Sequence, residues 1–272
     1  MGIVDFHNKT VIITGASAGV GAACARRFAG LGANLVLVAR GQQALAAIEQ
    51  ELSAKTAVLA VAMDVADINA CCRLITQAED RFGPVHVLVN NAGLHRRGDV
   101  ESRSSQDLVD MVDVNLRAPL QLTAEALPSI RRAGMGAIVM VGSLAGLAPL
   151  QGAATYAATK AGLRAFTWAL ADELQDSRIA VGIVSPGPVD TGFIMNEIDE
   201  VEDIVYSQPM STAEQVADAV VKLAKGERTE IAMPWFSGKL ATLSYLFPSL
   251  RRAGRGLLYK IGRKNKEKYR KH

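Results

Sequence analysis

Cysteine is scarce in this chain of 272 residues. Its three cysteines are an odd number, and Cys71 and Cys72 are adjacent, so we expect no disulfide framework and a reducing compartment such as the cytoplasm. Long apolar runs are also missing, because none approaches the roughly 18 to 20 residues that a membrane-spanning helix needs. Residues 1–10 lack the basic start, apolar stretch and cleavage site of a secretory signal, which agrees with a cytoplasmic location.

Histidine is also scarce. The four histidines have no metal-ligand spacing, and none pairs with the cysteines as a zinc site requires, so no bound metal is expected. Charged residues make up only 21% of the chain and hydrophobic residues 49%, which excludes a disordered protein. A chain of this length can bury one large α/β core, and no linker rich in proline, glycine or serine divides it.

Basic residues are concentrated at one end of the chain. Residues 239–272 contain 11 lysines and arginines against one acidic residue, Glu267, whereas residues 1–238 contain 19 basic and 26 acidic residues. We therefore predict one domain over residues 1–238, followed by a basic, amphipathic C-terminal extension over residues 239–272.

Short apolar runs alternate with segments of helical periodicity. The runs are unbroken, as in parallel strands that are covered by helices on both faces. The alternation predicts an α/β fold with a doubly wound, Rossmann-like parallel sheet. Seven strands are predicted, over residues 10–14, 34–39, 57–63, 85–90, 137–141, 179–184 and 229–233. Helices are predicted over residues 20–31, 42–52, 68–82, 105–132, 153–174 and 213–225, the last with a capping box of Ser211 and Glu214.

A glycine-rich turn follows the first predicted strand and opens the first helix. Gly15, Gly19 and Gly21 give it the spacing Gly-x-x-x-Gly-x-Gly. In dinucleotide-binding folds such glycines permit the tight turn, the approach of a pyrophosphate to the backbone, and close packing of helix on strand. A flexible glycine-alanine loop is the alternative. A nucleoside-triphosphate loop is disfavoured because no Gly-Lys-Ser/Thr ending is present.

The end of the second predicted strand bears on the choice of cofactor. NAD-binding sheets usually carry an acidic residue about 20 residues after the glycines, where it binds the ribose hydroxyls. This chain has Ala39 and Arg40 there. A small residue followed by a guanidinium can bind the extra phosphate of NADP through charge-assisted hydrogen bonds, so NADP(H) is favoured over NAD(H). A solvated surface arginine is the alternative.

Further polar motifs follow the later strands in a fixed order. They are Asp64-Val65, Asn90-Asn91-Ala92-Gly93, Asn115, Ser143, Tyr156-x-x-x-Lys160 and Pro186-Gly187-Pro188-Val189-Asp190-Thr191. With the glycine turn, these motifs make residues 6–235 resemble the short-chain dehydrogenase/reductase family. Each motif alone is weak evidence, but their joint occurrence at strand ends is specific. The resemblance implies that residues 1–238 form a single Rossmann-fold catalytic domain.

The resemblance implies four catalytic residues. Tyr156 would exchange a proton with the substrate oxygen, and Lys160, on the same helix face, would lower the pKa of Tyr156 and hold the nicotinamide ribose. Ser143 would hydrogen-bond the substrate oxygen, and Asn115 would hold a water in a proton relay behind Lys160. The alternatives are a buried tyrosine, a surface lysine, a loop serine and a helix-bending asparagine.

The resemblance also implies a set of cofactor contacts. Ser17 and Val20 would lie along the pyrophosphate, and Asp64 and Val65 around the adenine. Asn91, Ala92 and Gly93 would lie against the ribose. Pro186, Val189 and Thr191 would hold the nicotinamide carboxamide. The three glycines, Arg40, Tyr156 and Lys160 complete the predicted cofactor site.

Substrate selection in such enzymes depends on variable segments, here residues 94–97, 144–151 and 192–210. The last segment mixes apolar residues with five acidic ones, Glu197, Asp199, Glu200, Glu202 and Asp203. It is interpreted either as a mobile lid over an apolar pocket or as an ordinary amphipathic surface helix. His95, just after the Asn-Ala-Gly turn, is a weaker candidate for contact with substrate.

The C-terminal extension has apolar residues at helical spacing, among them Phe236, Leu240, Leu243 and Phe247. A basic amphipathic helix can lie on an anionic membrane surface, and it can also dock on a partner subunit or on the core. A solvated tail is the third possibility. Pro248 and two glycines argue against one straight helix. No nucleic-acid binding is expected for residues 264–271, because aromatic residues are few and no recognition motif accompanies them.

The sequence as a whole predicts a reversible, NADP(H)-dependent reductase of a carbonyl group on a small or lipid-like hydrophobic substrate, with Tyr156 as general acid/base. One alternative is an NADP-binding sensor or scaffold with little turnover. Another is a membrane-recruited reductase of lipid metabolism, peripherally attached from the cytoplasm. The resemblance implies a homodimer or homotetramer through the helices predicted over residues 105–132 and 153–174.

Overall fold

Seven parallel strands form one sheet in the order β3-β2-β1-β4-β5-β6-β7. The computed structural model describes residues 2–195 and 198–270, so Glu197 of the acidic segment and Lys271 of the predicted tail lie outside the described residues. The strands are β1 (Thr10–Thr14), β2 (Asn34–Ala39), β3 (Val58–Ala62), β4 (Val85–Asn90), β5 (Gly136–Val141), β6 (Ile179–Pro186) and β7 (Glu230–Met233). This sheet confirms the predicted α/β, Rossmann-like fold.

Helices connect the strands and cover both faces of the sheet. They are α1 (Gly19–Ala29), α2 (Gln42–Ser53), α3 (Ile68–Phe82), α4 (Ser105–Val112), α5 (Ala118–Arg132), α6 (Ala154–Glu173), α7 (Gly192–Met195), α8 (Ala213–Ala224), α9 (Trp235–Leu246) and α10 (Pro248–Tyr269). α1, α2 and α8 contribute to the core on one face, and α3, α5 and α6 to the core on the other. Within β1, Val11 and Ile13 belong to the first core and Ile12 to the second, which is why the strand is apolar without alternation.

The helix predicted over residues 105–132 is interrupted by a π-helical turn, Asp113–Arg117, between α4 and α5. Asn115 lies in this turn and is fully buried. Single π turns inside α-helices often occur at functional sites, because the extra residue turns a side chain out of the regular helical register. Apolar periodicity alone does not mark such a turn, so the sequence predicted one continuous helix.

The capping box that begins α8 differs from the predicted one by one residue. Thr212 Oγ1 accepts a hydrogen bond from the backbone N–H of Gln215 at 3.2 Å, and Gln215 Oε1 accepts one from the N–H of Thr212 at 3.0 Å. The predicted pair of Ser211 and Glu214 was wrong because Ser211 is still bridged to Val189.

The C-terminal residues form two helices that meet at Phe247. Pro248 occupies the first turn of α10, where its missing N–H costs nothing. The predicted boundary after residue 238 falls inside α9, and the division into domain and extension stays a prediction. Within the part of the chain that the structure describes, no helix is long and apolar enough to cross a membrane.

Candidate active site

The glycine turn joins β1 to α1 in a geometry that requires glycine. Gly15 has a φ of +67°, a conformation that residues with a side chain rarely adopt. A Cβ atom on Gly21 would overlap the carbonyl oxygen of Gly15, so the helix can lie this close to the strand only with glycine. A Cβ atom on Gly19 would lie 3.3 Å from Cγ2 of Thr191, which places Thr191 next to the turn.

The N-terminus of α1 fits a bound pyrophosphate. Ala18 is the N-cap residue, and among the described residues no side chain caps this helix and no acidic residue lies in its first turn. The free backbone N–H groups and the positive end of the helix dipole therefore point into the loop that contains Ser17. Ser17 and Val20 are half-buried on either side of this helix start. The residues present thus fit the phosphates of a dinucleotide.

Thr14 ties the end of β4 to the glycine turn. Its Oγ1 accepts hydrogen bonds from the backbone N–H groups of Asn91 and Ala92, both at 3.0 Å. In return, Asn91 Nδ2 donates to the carbonyl oxygens of Thr14 at 2.8 Å and Gly15 at 3.2 Å. The sequence reasoning did not assign a role to Thr14. The available signal was a buried hydroxyl at the last position of the strand, directly before the glycine turn.

Arg40 and Asp64 lie side by side after β2 and β3. Their closest side-chain atoms, Arg40 Nη1 and Asp64 Oδ2, are 3.8 Å apart, and the Arg40 side chain is 70% exposed. An exposed pair of this kind contributes little to stability, so the guanidinium can turn to a phosphate at small cost. Val65, the next residue after Asp64, is buried. The predicted adenosine end of the cofactor site is therefore assembled in one place.

The segment predicted to hold the nicotinamide carboxamide leads from β6 back to the glycine turn. Pro186 is buried at the end of β6, where it pairs with Met233 of β7. Val189 is buried as well, and Thr191 is the residue beside Gly19. Thr191 thus brings the segment predicted to hold the carboxamide next to the glycine turn, at the edge of the sheet where the strands have their carboxyl ends.

Three of the predicted catalytic residues converge beyond the end of β5. Tyr156 and Lys160 lie one turn apart on α6, and Ser143 follows β5. Lys160 Nζ is 5.7 Å from the centre of the Tyr156 ring and donates a hydrogen bond to the carbonyl oxygen of Val141 at 2.9 Å. Burial lowers the pKa of Lys160 to about 8, because the charged form loses its hydration.

The environment of Tyr156 shifts its pKa upward. Burial raises the pKa of the phenol, and the hydroxyl of Ser143 and the charge of Arg97 offset only part of the rise. The resemblance implied the opposite direction, with Lys160 lowering this pKa. In this structure desolvation outweighs the neighbouring positive charges, and the Lys160 ammonium is bonded to the backbone instead. Tyr156 is consequently a neutral phenol at pH 7.

Asn115 holds the loop that leaves β4. Its Oδ1 accepts a hydrogen bond from the N–H of Leu94, and its Nδ2 donates one to the carbonyl oxygen of Leu94, both at 2.7 Å. A Cβ atom on Gly93 would lie 3.6 Å from Asn115 Oδ1 and 3.9 Å from Lys160 Nζ. The π turn thus brings Asn115 to the side of Gly93 where Lys160 ends. The water relay assigned to Asn115 stays a prediction.

His95 makes the closest aromatic contact of the site. Its ring stacks on that of Tyr156, with centres 4.2 Å apart and planes at 15°. Arg97 Nη1 lies 2.9 Å from His95 Nδ1. Because a guanidinium can only donate, Nδ1 is the acceptor and the neutral imidazole carries its proton on Nε2. Burial and the nearby cations lower the pKa of His95 to about 3, which keeps the ring neutral.

The segment predicted as a lid lies against this loop and under α10. Arg97 Nη2 donates to the carbonyl oxygen of Phe193 at 3.0 Å. The described part of the segment contains the four-residue helix α7 and a short 3-10 turn, Asp203–Ser207, rather than an amphipathic surface helix. Ile194, Val201 and Tyr206 form a small buried cluster within it.

Basic residues of α10 pair with the acidic residues of that segment. Lys266 is buried and donates to the carbonyl oxygen of Val201 at 2.6 Å, and its Nζ is 3.3 Å from Asp203 Oδ1. Arg263 also pairs with Asp203, at 3.1 Å, and Arg270 pairs with Asp199. The C-terminal half of α10 is therefore docked on the domain and is not a solvated tail.

Within residues 2–195 and 198–270, no three histidine, cysteine or acidic side chains lie close enough together to hold a metal ion. The site consists of a dinucleotide cradle next to a tyrosine, a lysine and a serine. That combination defines an oxidoreductase that acts on carbonyl and alcohol groups with a nicotinamide cofactor.

Comparison with known proteins agrees with this class. A family model described as short chain dehydrogenase matches residues 9–202. The chain belongs to the short-chain dehydrogenase/reductase family. It is 36% identical over 229 residues to the ketoacyl reductase HetN of Nostoc sp., covering 82% of this chain and 77% of that protein. It is 38% identical over 189 residues to sulfoacetaldehyde reductase 2 of Chromohalobacter salexigens, covering 68% and 74%.

The crystal structure of levodione reductase has the same fold. It superposes with a TM-score of 0.78 at 24% sequence identity, covering 86% of this chain and 99% of that one. The family model ends at residue 202, so the docked part of α10 and the turn that it covers lie beyond the matched residues.

Proposed function

We propose that this protein is a cytoplasmic, NADP(H)-dependent reductase that converts a carbonyl to an alcohol on a small or lipid-like hydrophobic substrate. The observation that carries the proposal is the convergence of Ser143, Tyr156 and Lys160 at the carboxyl end of β5, on the sheet edge that holds the glycine turn. The names of both relatives above describe reductases, which supports reduction as the direction.

The protonation states in the site suit reduction. NADPH, when bound, supplies the hydride to the carbonyl carbon. Tyr156, kept neutral by burial, can donate its phenolic proton to the carbonyl oxygen, and Ser143 can hold that oxygen by a hydrogen bond. Lys160, with a pKa of about 8, is positioned to bind the ribose and to exchange a proton near neutral pH.

Arg40 supports the choice of NADP(H). It follows β2 at the position where an acidic residue would select NAD, and among the described residues its guanidinium pairs only with Asp64, in an exposed ion pair. Phe193 and Ile194, which lie by the loop of His95 and Arg97, support a hydrophobic substrate.

A homodimer or homotetramer remains part of the proposal. Val109 and Val112 on α4 are 50% and 40% exposed, and Trp168 on α6 is 41% exposed. Large apolar side chains on two adjacent helices are typical of a subunit interface.

The test is oxidation of NADPH, with NADH in parallel, against aliphatic, aromatic, sterol-like and acyl ketones. Wild type should prefer NADPH. Tyr156→Phe should bind NADPH as wild type does and lose turnover, because the ring is kept and only the proton donor is removed. Arg40→Ala should raise the KM for NADPH and leave that for NADH unchanged.

Two results would contradict the proposal. Unchanged turnover in Tyr156→Phe would remove Tyr156 from the proton step. Tight NADPH binding without turnover on any ketone of the panel would favour the alternative of a nucleotide-binding sensor.

A further inference from the structure

α9 and the middle turns of α10 expose large apolar side chains that the domain leaves uncovered. Trp235 is 67% and Leu246 66% exposed, and the intervening helix adds further large side chains. We call this surface the apolar ridge. Its exposed members are Trp235, Phe236, Leu240, Leu243, Tyr245, Leu246 and Phe247 on or next to α9, and Leu257, Leu258 and Ile261 on α10.

The ridge is flanked by positive charge alone. Between Glu230 and Glu267 the sequence contains no acidic residue. Lys239, Arg251 and Arg252 have no acidic partner among the residues that the structure describes, in contrast to the paired cations at the far end of α10. Cations without an acidic partner therefore lie beside the ridge, and Lys239 Nζ is 5.0 Å from the centre of the Trp235 ring.

We propose that the apolar ridge docks on the surface of an anionic lipid bilayer. The ridge supplies apolar and aromatic side chains of the kind that bury at the interface between lipid headgroups and acyl chains. The flanking lysine and arginines supply attraction to anionic headgroups. A second copy of this chain fits less well, because a twofold contact places the same basic flanks opposite each other.

Docking by this surface brings the membrane to the substrate side of the domain. A Cβ atom on Gly238 of α9 would lie 3.9 Å from Cδ2 of Leu144, at the start of the predicted substrate segment of residues 144–151. A groove of about 380 Å³ between them is lined by Leu147, Trp235 and Leu243 among others. If the proposed reductase function holds, an apolar carbonyl compound dissolved in the bilayer would meet the enzyme next to this segment.

The experiment is co-sedimentation of the full chain with vesicles. Vesicles of phosphatidylglycerol and phosphatidylcholine in equal parts should bind the protein, and pure phosphatidylcholine vesicles should not. Added salt should weaken the binding, because it screens the basic flanks. The double variant Phe236→Ser with Leu246→Ser should lower the partition coefficient by at least about tenfold, as the loss of two large apolar contacts implies.

A matched control and a second assay make the result decisive. Val4→Ser with Val100→Ser removes two exposed apolar side chains elsewhere and should bind as wild type does. Circular dichroism checks that both double variants are folded. Equal binding to neutral and anionic vesicles, or binding to neither, would overturn the proposal. The proposal would also be overturned if the protein dimerised in analytical ultracentrifugation and the Phe236→Ser, Leu246→Ser variant abolished dimerisation without any loss of vesicle binding. None of these readouts depends on turnover, so they are independent of the proposed reaction.

Discussion

Gly262 of α10 packs directly on the backbone of the turn that the helix covers, and alanine at this position should release the helix. A Cβ atom there would overlap the carbonyl oxygen of Asp203 and lie 3.2 Å from the backbone nitrogen of Ser207. Both neighbours are backbone atoms, which cannot rotate away. Gly256, six residues earlier in the same helix, has open space on that side and is the matched control.

The two substitutions should change stability in opposite directions. Alanine is favoured over glycine inside a helix by about 0.8–1 kcal/mol, so Gly256→Ala should stabilise the protein by up to that amount. Overpacking typically costs about 1–3 kcal/mol, which exceeds this gain at Gly262. Gly262→Ala should also weaken two neighbouring hydrogen bonds, from Asn265 to the carbonyl oxygen of Tyr206 at 3.0 Å and from Lys266 to Val201.

Urea denaturation of both variants measures the difference, and hydrogen exchange locates it. Gly262→Ala should speed exchange of backbone amides in residues 198–207, while Gly256→Ala should leave them as in wild type. If both variants were equally stable and exchanged alike in that segment, α10 would not be docked as described.

Two further predictions concern the active site. The side chain of Lys160 should titrate near pH 8 in an NMR experiment, in which its signal is assigned by its loss in Lys160→Met. A titration midpoint near the ordinary pKa of 10.5 would contradict the burial of Lys160. Because the unfolded chain keeps that proton up to about pH 10.5 while the folded chain loses it near 8, the stability of wild type relative to Lys160→Met should rise between these pH values. His95→Leu should destabilise the protein by about 1 kcal/mol more than His95→Phe, which keeps a ring stacked on Tyr156, and should lower kcat more. Equal stability and kcat in the two His95 variants would exclude a role for the stacking.

The strands could be predicted from the sequence because burial on both faces makes each one an unbroken apolar run. β1, β2 and β4 have the predicted bounds, and the ends of the others differ by one or two residues. The glycine turn and the tyrosine-lysine pair could also be found, since each depends on residues that are close in sequence.

The contacts of α10 could not be predicted in the same way. Arg263 and Asp203 are 60 residues apart, and nothing local to either indicates the pairing. Composition predicts an acidic domain and a basic extension. It could not show that acidic residues of the domain are in contact with basic residues of the extension. The π turn at Asn115 and the stacking of His95 on Tyr156 were missed for a related reason, because both depend on three-dimensional packing and not on periodicity.

The docking of α10 has a practical consequence for anyone who redesigns the ends of this protein. A chain shortened to end before α10 would leave Tyr206 without the ring of Tyr269 beside it and Asp199 without Arg270. An affinity tag after the last residue would begin close to Arg270, so it needs a spacer that leaves the pairing with Asp199 undisturbed. Grafting this extension onto a relative requires transferring residues 198–207 with it.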